Sequence, residues 1–223
     1  TYELHTLDDT ETIARLANGI KRLKLPDEFN FLKIYKDLAD GGSYAEQSLE
    51  TLCGIYENRR HYPTAAKRWR ELIDRFGAGH NGYRKKRLAQ IVDNWGMFDG
   101  AGTQPAGRGA SFLYRFRNGE KVTFTAHEVK VETLLDDVKA YIKSAPKDMD
   151  WWQMQPNNIG YRLVYQNQQK YVGKQVAEWS LDLKPLPRHF DRRITVTTPL
   201  QKAGAYLVKA AMADSDGRTG HTS

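Results

Sequence analysis

The chain has 223 residues, 40% hydrophobic and 27% charged, which suits a folded protein with room for one large domain or two small ones. Its net charge of +7 permits contact with nucleic acid or acidic surfaces without requiring it. A single cysteine, Cys53, excludes an internal disulfide, and no apolar run approaches the ~18 residues that mark a membrane-spanning helix.

Opening on Thr1 with no basic-then-apolar leader and closing on the polar "DSDGRTGHTS", the chain reads as a mature or excised piece of something longer. Residues 215–223 are expected to form a disordered tail. In the first half, apolar residues recur at helical spacing. Ile13, Leu16, Ile20 and Leu23 predict a first helix. Phe31, Leu32, Tyr35 and Leu38, after Pro26 and Asp27, predict a second. Leu49, Leu52, Cys53 and Tyr56 mark a third, in which Cys53 reads as a buried small hydrophobe. Pro63 suits the first turn of a fourth, striped by Ala66, Trp69, Leu72, Ile73 and Phe76 and ended by Gly77-Ala78-Gly79. Tyr83, Leu88, Ile91, Val92 and Trp95 outline a fifth. Short connections make these antiparallel hairpins, giving a helical domain over residues 1–97. Within it, Leu52, Tyr56, Ala65 and Trp69 keep the spacing of the tetratricopeptide repeat, which this segment partly resembles. Cys53 and Gly77 stand where that pattern has other residues.

Residues 98–110, "FDGAGTQPAGRGA", have the composition of a linker. The period then shifts to two: "SFLYRFRNGEKVTFTAHEV" predicts a β-hairpin turning at Asn118-Gly119. Val131, Leu134, Leu135, Val138, Tyr141 and Ile142 return to helical spacing, "NNIGYRLVYQNQQKY" is ambiguous, and "QVAEWSLDL" alternates again with Val176, Trp179 and Leu181 inward. Two further strands follow around Pro199. Residues 111–214 therefore read as an antiparallel β-sandwich with a helical insertion, and the whole chain as α+β. Leu200, Gly204 and Tyr206 have the layout of an immunoglobulin-like corner between sheets. There an apolar residue plugs the core and a tyrosine hydroxyl bonds back to the backbone, and Gly204 is expected to supply a positive φ for the turn; the other reading is an ordinary strand-turn-strand whose tyrosine only packs.

The segment "ITVTTPLQKAGAYLVKAAMAD" resembles the closing strands of a macroglobulin domain in bacterial alpha-2-macroglobulin-like proteins. "YRFRNGEKVTFTAHEVKVETLLDDVKAYI" is similar to the opening strands of such a domain carrying a helical insertion. The resemblance covers roughly residues 109–214, and a helical N-terminal half is similar in arrangement to the large planctomycete members of the family. It implies an immunoglobulin-like sandwich in a secreted, periplasmic or membrane-anchored parent that entraps proteases by bait-region cleavage and, in many members, a thioester. The thioester pattern is Cys-Gly-Glu-Gln, whereas this chain has Cys53-Gly54-Ile55-Tyr56, in the helical half. None of the family's reactive machinery is therefore carried over, and the expected partners are other domains of the parent and, through it, proteases.

No catalytic, cofactor or metal site is expected. His127, Glu128 and Glu132 in "AHEVKVE" lack further ligands nearby, and His189 beside Asp191 in "RHFDRR" reads as a charged strand edge. Two interaction surfaces stand as candidates. Arg68, Arg84, Lys85, Lys86 and Arg87 lie in a basic helical stretch that also holds Arg59, Arg60, Lys67, Arg70 and Arg75. Such a stretch could meet a polyanion, although interspersed acids dilute it and nucleic acid is not the expected partner. Trp151 and Trp152 in "DMDWWQMQPNN" could stack on a sugar ring or pack in a core. The leading expectation is a non-enzymatic structural and interaction module of a protease-trapping protein. The alternatives are a helical module that binds protein or polyanion, and a carbohydrate-binding sandwich.

Overall fold

The structure, a computed structural model, describes residues 4–100, 102–148, 150–155, 159–213 and 219–222. The chain divides into two compact units, Thr1–Asp93 with Leu186–Phe190, and Asn94–Pro185 with Asp191–Ser223. Helices and antiparallel sheets occupy largely separate stretches, an α+β arrangement.

In the first unit the expected first helix is instead an antiparallel hairpin of β1 (Glu11–Leu16) and β2 (Gly19–Lys24). The helical spacing is a coincidence of the pairing. Ile13 and Ile20 lie on one face of the hairpin, Leu16 and Leu23 on the other, because directly paired residues share a face and neighbours alternate. Gly19 closes the turn at φ +113°, where a side chain would be strained. The four remaining helices follow their apolar stripes: α1 (Phe31–Ala39), α2 (Ala45–Asn58), α3 (Tyr62–Phe76) and α4 (Tyr83–Val92). Asn30 caps α1 by accepting from the Lys33 amide at 3.1 Å, and Pro63 sits in the first turn of α3. Sequence-adjacent helices pack on one another around Leu32, Leu49, Leu52, Cys53, Tyr56, Ala65, Trp69, Leu72 and Ile91. Ala65 and Ala66 let α3 approach α2 closely enough for Tyr56 and Trp69 to fill the interface. The Leu-Tyr-Ala-Trp spacing falls on this α2–α3 pair alone, so a tetratricopeptide repeat array is not established.

The second unit begins earlier than residue 98. Trp95 belongs not to a fifth helix but to β3 (Trp95–Phe98), and the described residues of the glycine-rich stretch that follows, 99–100 and 102–110, belong to the second unit. β3 pairs β4 (Ser111–Arg117), which pairs β7 (Arg192–Thr197), making a three-stranded sheet. The second sheet has the order β6-β5-β8-β9, with β5 (Lys121–Val129), β6 (Val172–Asp182), β8 (Tyr206–Ala213) and β9 (Thr219–Thr222). β4 and β5 therefore do not form the expected hairpin; the Asn118-Gly119 turn carries the chain from one sheet to the other. Asn118 takes φ +62°, while a side chain on Gly119 would meet the Met212 sulfur at 2.5 Å. A turn signal specifies a reversal of the chain, and it is silent on whether the strands pair or part.

The two sheets close on a shared aromatic core. Phe98, Phe112 and Tyr114 of the first sheet meet Phe124 of the second at ring separations of 6.3, 5.5 and 5.2 Å. Gly96 makes room for this, since a Cβ there would stand 2.0 Å from the Tyr114 hydroxyl. Trp179 and Leu181 pack on the core, but Val176 points out. Val176 stands three residues before Trp179, an odd interval, so alternation along β6 puts the two on opposite faces. The insertion between β5 and β6 holds α5 (Val131–Lys143), α6 (Trp151–Met154) and α7 (Ile159–Val164), which build a smaller core of Leu134, Val138, Leu163, Tyr171 and Leu207. The polar tail is not uniformly irregular: β9 pairs β8 from Ala210↔Thr222 to Ala213↔Thr219, while residues 214–218 and 223 lie outside the described residues.

Candidate functional site

The corner between β7 and β8 links the two sheets. Tyr206 donates its hydroxyl to the Lys202 carbonyl oxygen at 3.0 Å, and the Leu200 amide donates to Thr198 Oγ1 at 3.3 Å. Two expectations for this corner are corrected. Leu200 is half-buried and stands outside the core cluster, so it is no plug. Gly204 does not have positive φ; a Cβ there would rest 3.4 Å from the phenol end of Tyr206, an ordinary contact.

The basic stretch separates into cations that hold the fold and cations that face solvent. Arg84 is buried, correcting its assignment to an interaction surface. It donates to the Phe76 and Gly77 carbonyl oxygens at 3.2 and 3.3 Å and to Glu46 and Glu50 at 2.5 and 3.1 Å. It thus closes the C-terminus of α3, whose last carbonyls lack helical partners. Arg87 pairs with Glu57, which also accepts from the Trp69 indole, and Arg68 pairs with Glu71 at 2.7 Å. Arg59 is buried and donates to the Asp8 and Glu11 carbonyl oxygens at 2.6 and 2.7 Å. Arg60, Lys67, Arg70, Lys85 and Lys86 remain exposed.

The Arg59 bonds belong to a latch that ties the β1–β2 hairpin to the helices. Asp9 accepts from Lys36 at 2.5 Å and from the Tyr56 hydroxyl at 3.0 Å. Burial would raise the Asp9 carboxyl, but these two hydrogen bonds and the nearby cations outweigh it and hold the group below its ordinary range. Burial also works against the charge on Lys36, yet Asp9 raises its pKa. The Tyr56 phenol is pushed up, by burial first and then by the Asp9 charge. Sequence reading missed the latch because the hairpin was read as a helix.

Trp151 is 66% exposed on α6, and the side chain of Trp152 lies outside the described residues. Beyond them, Tyr161 and Tyr165 stack at 5.2 Å and both are exposed. Their i, i+4 spacing is the signal that could have found the pair. Cys53 is buried among α2 and α3 side chains, and burial pushes its thiol up to about 12, far from a reactive thiolate. His127 and Glu128 lie on opposite faces of β5, and Glu132 is on α5. His189 occupies a short 3-10 turn instead of a strand edge, and Asp191 accepts from Arg117 at 2.8 Å. Among the described residues no three His, Cys, Asp or Glu side chains converge as metal ligands do, and no helix is long and apolar enough to cross a membrane.

No family model matches the chain, and no curated protein sequence matches it. Among solved structures it is similar to native alpha-2-macroglobulin from Escherichia coli, in a crystal structure spanning domains MG0-NIE-MG1. The sequence identity is 16% and the TM-score 0.32. That likeness covers 58% of this chain and 38% of the other. Exposed cations stand on the helical unit, exposed aromatic rings on the insertion, and an exposed strand edge on the hairpin.

Proposed function

We propose that the chain is a non-catalytic structural and interaction module of a larger alpha-2-macroglobulin-like protein of the planctomycete type, one that traps proteases outside the cytoplasm. The observation that carries this reading is the corner at Tyr206. The segment whose sequence resembles the closing strands of a macroglobulin domain runs through β7, this corner and β8, where a tyrosine hydroxyl secures the passage from one sheet to the other. The segment resembling the opening strands runs through β4 and β5 and into the helical insertion. The buried Cys53 thiol supports a role without covalent chemistry, since a thiol held neutral is a poor nucleophile. Other domains of the parent are the expected partners, and proteases are engaged by the parent as a whole.

Two measurements test the reading. The isolated chain is expected neither to hydrolyse peptides nor to take up labelled methylamine; stoichiometric amine incorporation would overturn the non-catalytic assignment. The parent, mixed with an endoprotease, is expected to leave cleavage of small peptides intact while suppressing cleavage of large proteins. Unchanged digestion of both substrates would sink the trap assignment.

A further inference from the structure

Among the described residues, the outer edge of the β1–β2 hairpin carries no third strand. The Leu25 amide donates to the Thr10 carbonyl oxygen at 2.7 Å, which fixes the phase of the ladder. In an antiparallel pair every second residue couple exchanges hydrogen bonds. Thr12–Leu23 and Ala14–Lys21 are therefore bonded couples, and Glu11–Lys24, Ile13–Arg22 and Arg15–Ile20 are not. It follows that the backbone groups of Ile20 and Lys24 point away from β1, and among the described strands only β1 pairs with β2. All six residues of β2 are exposed, Ile20 at 49% and Leu23 at 43%. The strand "GIKRLK" carries Lys21, Arg22 and Lys24 and no acid; Glu11 takes up the charge of Arg22, which leaves the two lysines facing solvent.

We propose that β2 is a docking edge for an extended acidic segment of another polypeptide, which adds as an antiparallel third strand. Backbone bonds to Ile20 and Lys24 would supply affinity, carboxylates opposite Lys21 and Lys24 the selection, and apolar residues opposite Ile20 and Leu23 the contact area. A two-stranded ribbon is marginal by itself, so a third strand completes a unit that the latch only tethers. Lysines on an edge strand also discourage pairing, but an edge kept merely closed has no use for exposed Ile20 and Leu23 beside them. A second copy of this chain is a poor occupant, because β2 carries no acid to set opposite Lys21 and Lys24. The proposal is independent of the macroglobulin reading.

The test is a titration of the isotope-labelled full chain with the blocked peptide acetyl-Glu-Val-Thr-Glu-Val-Thr-amide, followed by amide shifts and exchange. Its glutamates fall opposite Lys24 and Lys21 and its valines opposite Leu23 and Ile20. Saturable shifts at Gly19–Lys24, with new exchange protection at the Ile20 and Lys24 amides, are expected. Ile20→Pro removes an outward amide while sparing every bond to β1, and should abolish binding with the remaining spectrum unchanged. The double change Lys21→Glu, Lys24→Glu alters only exposed side chains and should weaken the acidic peptide about tenfold or more while favouring its lysine counterpart. Shifts confined to the helices, equal binding of acidic and basic peptides by the unaltered chain, or self-association through β2 would each overturn the proposal, as would no binding.

Discussion

Tyr206 and Lys202 are joined across the β7–β8 corner by a hydrogen bond of 3.0 Å from the phenol hydroxyl to the main-chain carbonyl oxygen. The bond reaches back four residues from the first residue of β8, so it holds the corner by the strand it leads into. Tyr206→Phe removes the donor and keeps the ring. It should lower the stability of the sandwich by about 1 kcal/mol, read as a shift in the urea midpoint at unchanged slope. Gly204→Ala should move that midpoint little, because the added methyl makes an ordinary 3.4 Å contact and the backbone there needs no left-handed conformation. A Gly204→Ala loss as large as that of Tyr206→Phe would contradict this account of the corner.

The sequence was legible where one signal has one structural meaning and misleading where it has two. The stripes through Leu52 to Tyr56 and Ala65 to Leu72 land in one buried cluster because a continuous apolar face has few alternatives to a packed helix. Ile13, Leu16, Ile20 and Leu23 fit the same spacing, yet a hairpin that turns at Ala17-Asn18 also satisfies them. Asn18-Gly19 carries the same Asn-Gly signal as residues 118–119. At 118–119 the opposite error occurs, since the turn is real but its strands enter different sheets. Pairing across sheets is set by the aromatic core around Phe124, which no local pattern encodes. The same limit applies to Arg84: its place among five basic residues reads as surface, and only the fold brings Glu46, Glu50 and the end of α3 around it.

Arg84 and its neighbours Lys85 and Lys86 should therefore behave differently on substitution. Arg84→Ala strips two α3 carbonyls of their donor and leaves Glu46 and Glu50 without their cation. A loss of about 2 kcal/mol in the stability of the helical unit is expected. Lys85→Ala and Lys86→Ala change exposed side chains and should stay within about 0.5 kcal/mol. Thermal unfolding of the three variants by far-UV circular dichroism separates them. Equal midpoints would mean that Arg84 is not part of the α3 terminus.

The Asp9 latch gives the hairpin an acid dependence. The carboxyl is held below its ordinary 3.8, so the folded state binds this proton less readily than the unfolded one. Its stabilisation is complete above that ordinary value and is lost as pH falls through the folded pKa. Protection of the Thr12 and Ala14 amides, which bond across to β2, should decline below about pH 4, and Asp9→Asn should start lower and lose that part of the decline. The Arg59 bonds to the Asp8 and Glu11 carbonyls do not titrate in this range, so acid should loosen the hairpin without releasing it altogether. The raised Lys36 works in the opposite direction: its contribution is full below its ordinary 10.5 and fades as pH rises through the folded value. Identical pH profiles for the unaltered chain and Asp9→Asn would remove Asp9 from the latch.

Cys53 turns burial into a kinetic and a thermodynamic expectation. Its thiol, pushed from 9.0 to about 12 chiefly by desolvation among α2 and α3 side chains, is almost wholly protonated near neutral pH. An aromatic disulfide reagent at pH 8 should label the folded chain only at the rate of its opening and the urea-unfolded chain at once. Because the unfolded thiol ionises first, the folded state binds more protons between about pH 9 and pH 12. The helical unit should lose stability progressively as pH rises through that window. Cys53→Ala leaves a small buried void but no titrating group, so this component of the alkaline decline should vanish even if the variant begins about 1 kcal/mol less stable. Prompt labelling of the folded chain would show instead that α2 and α3 open readily around the thiol. The proposed neutrality of Cys53 would then offer no reason to exclude it from chemistry.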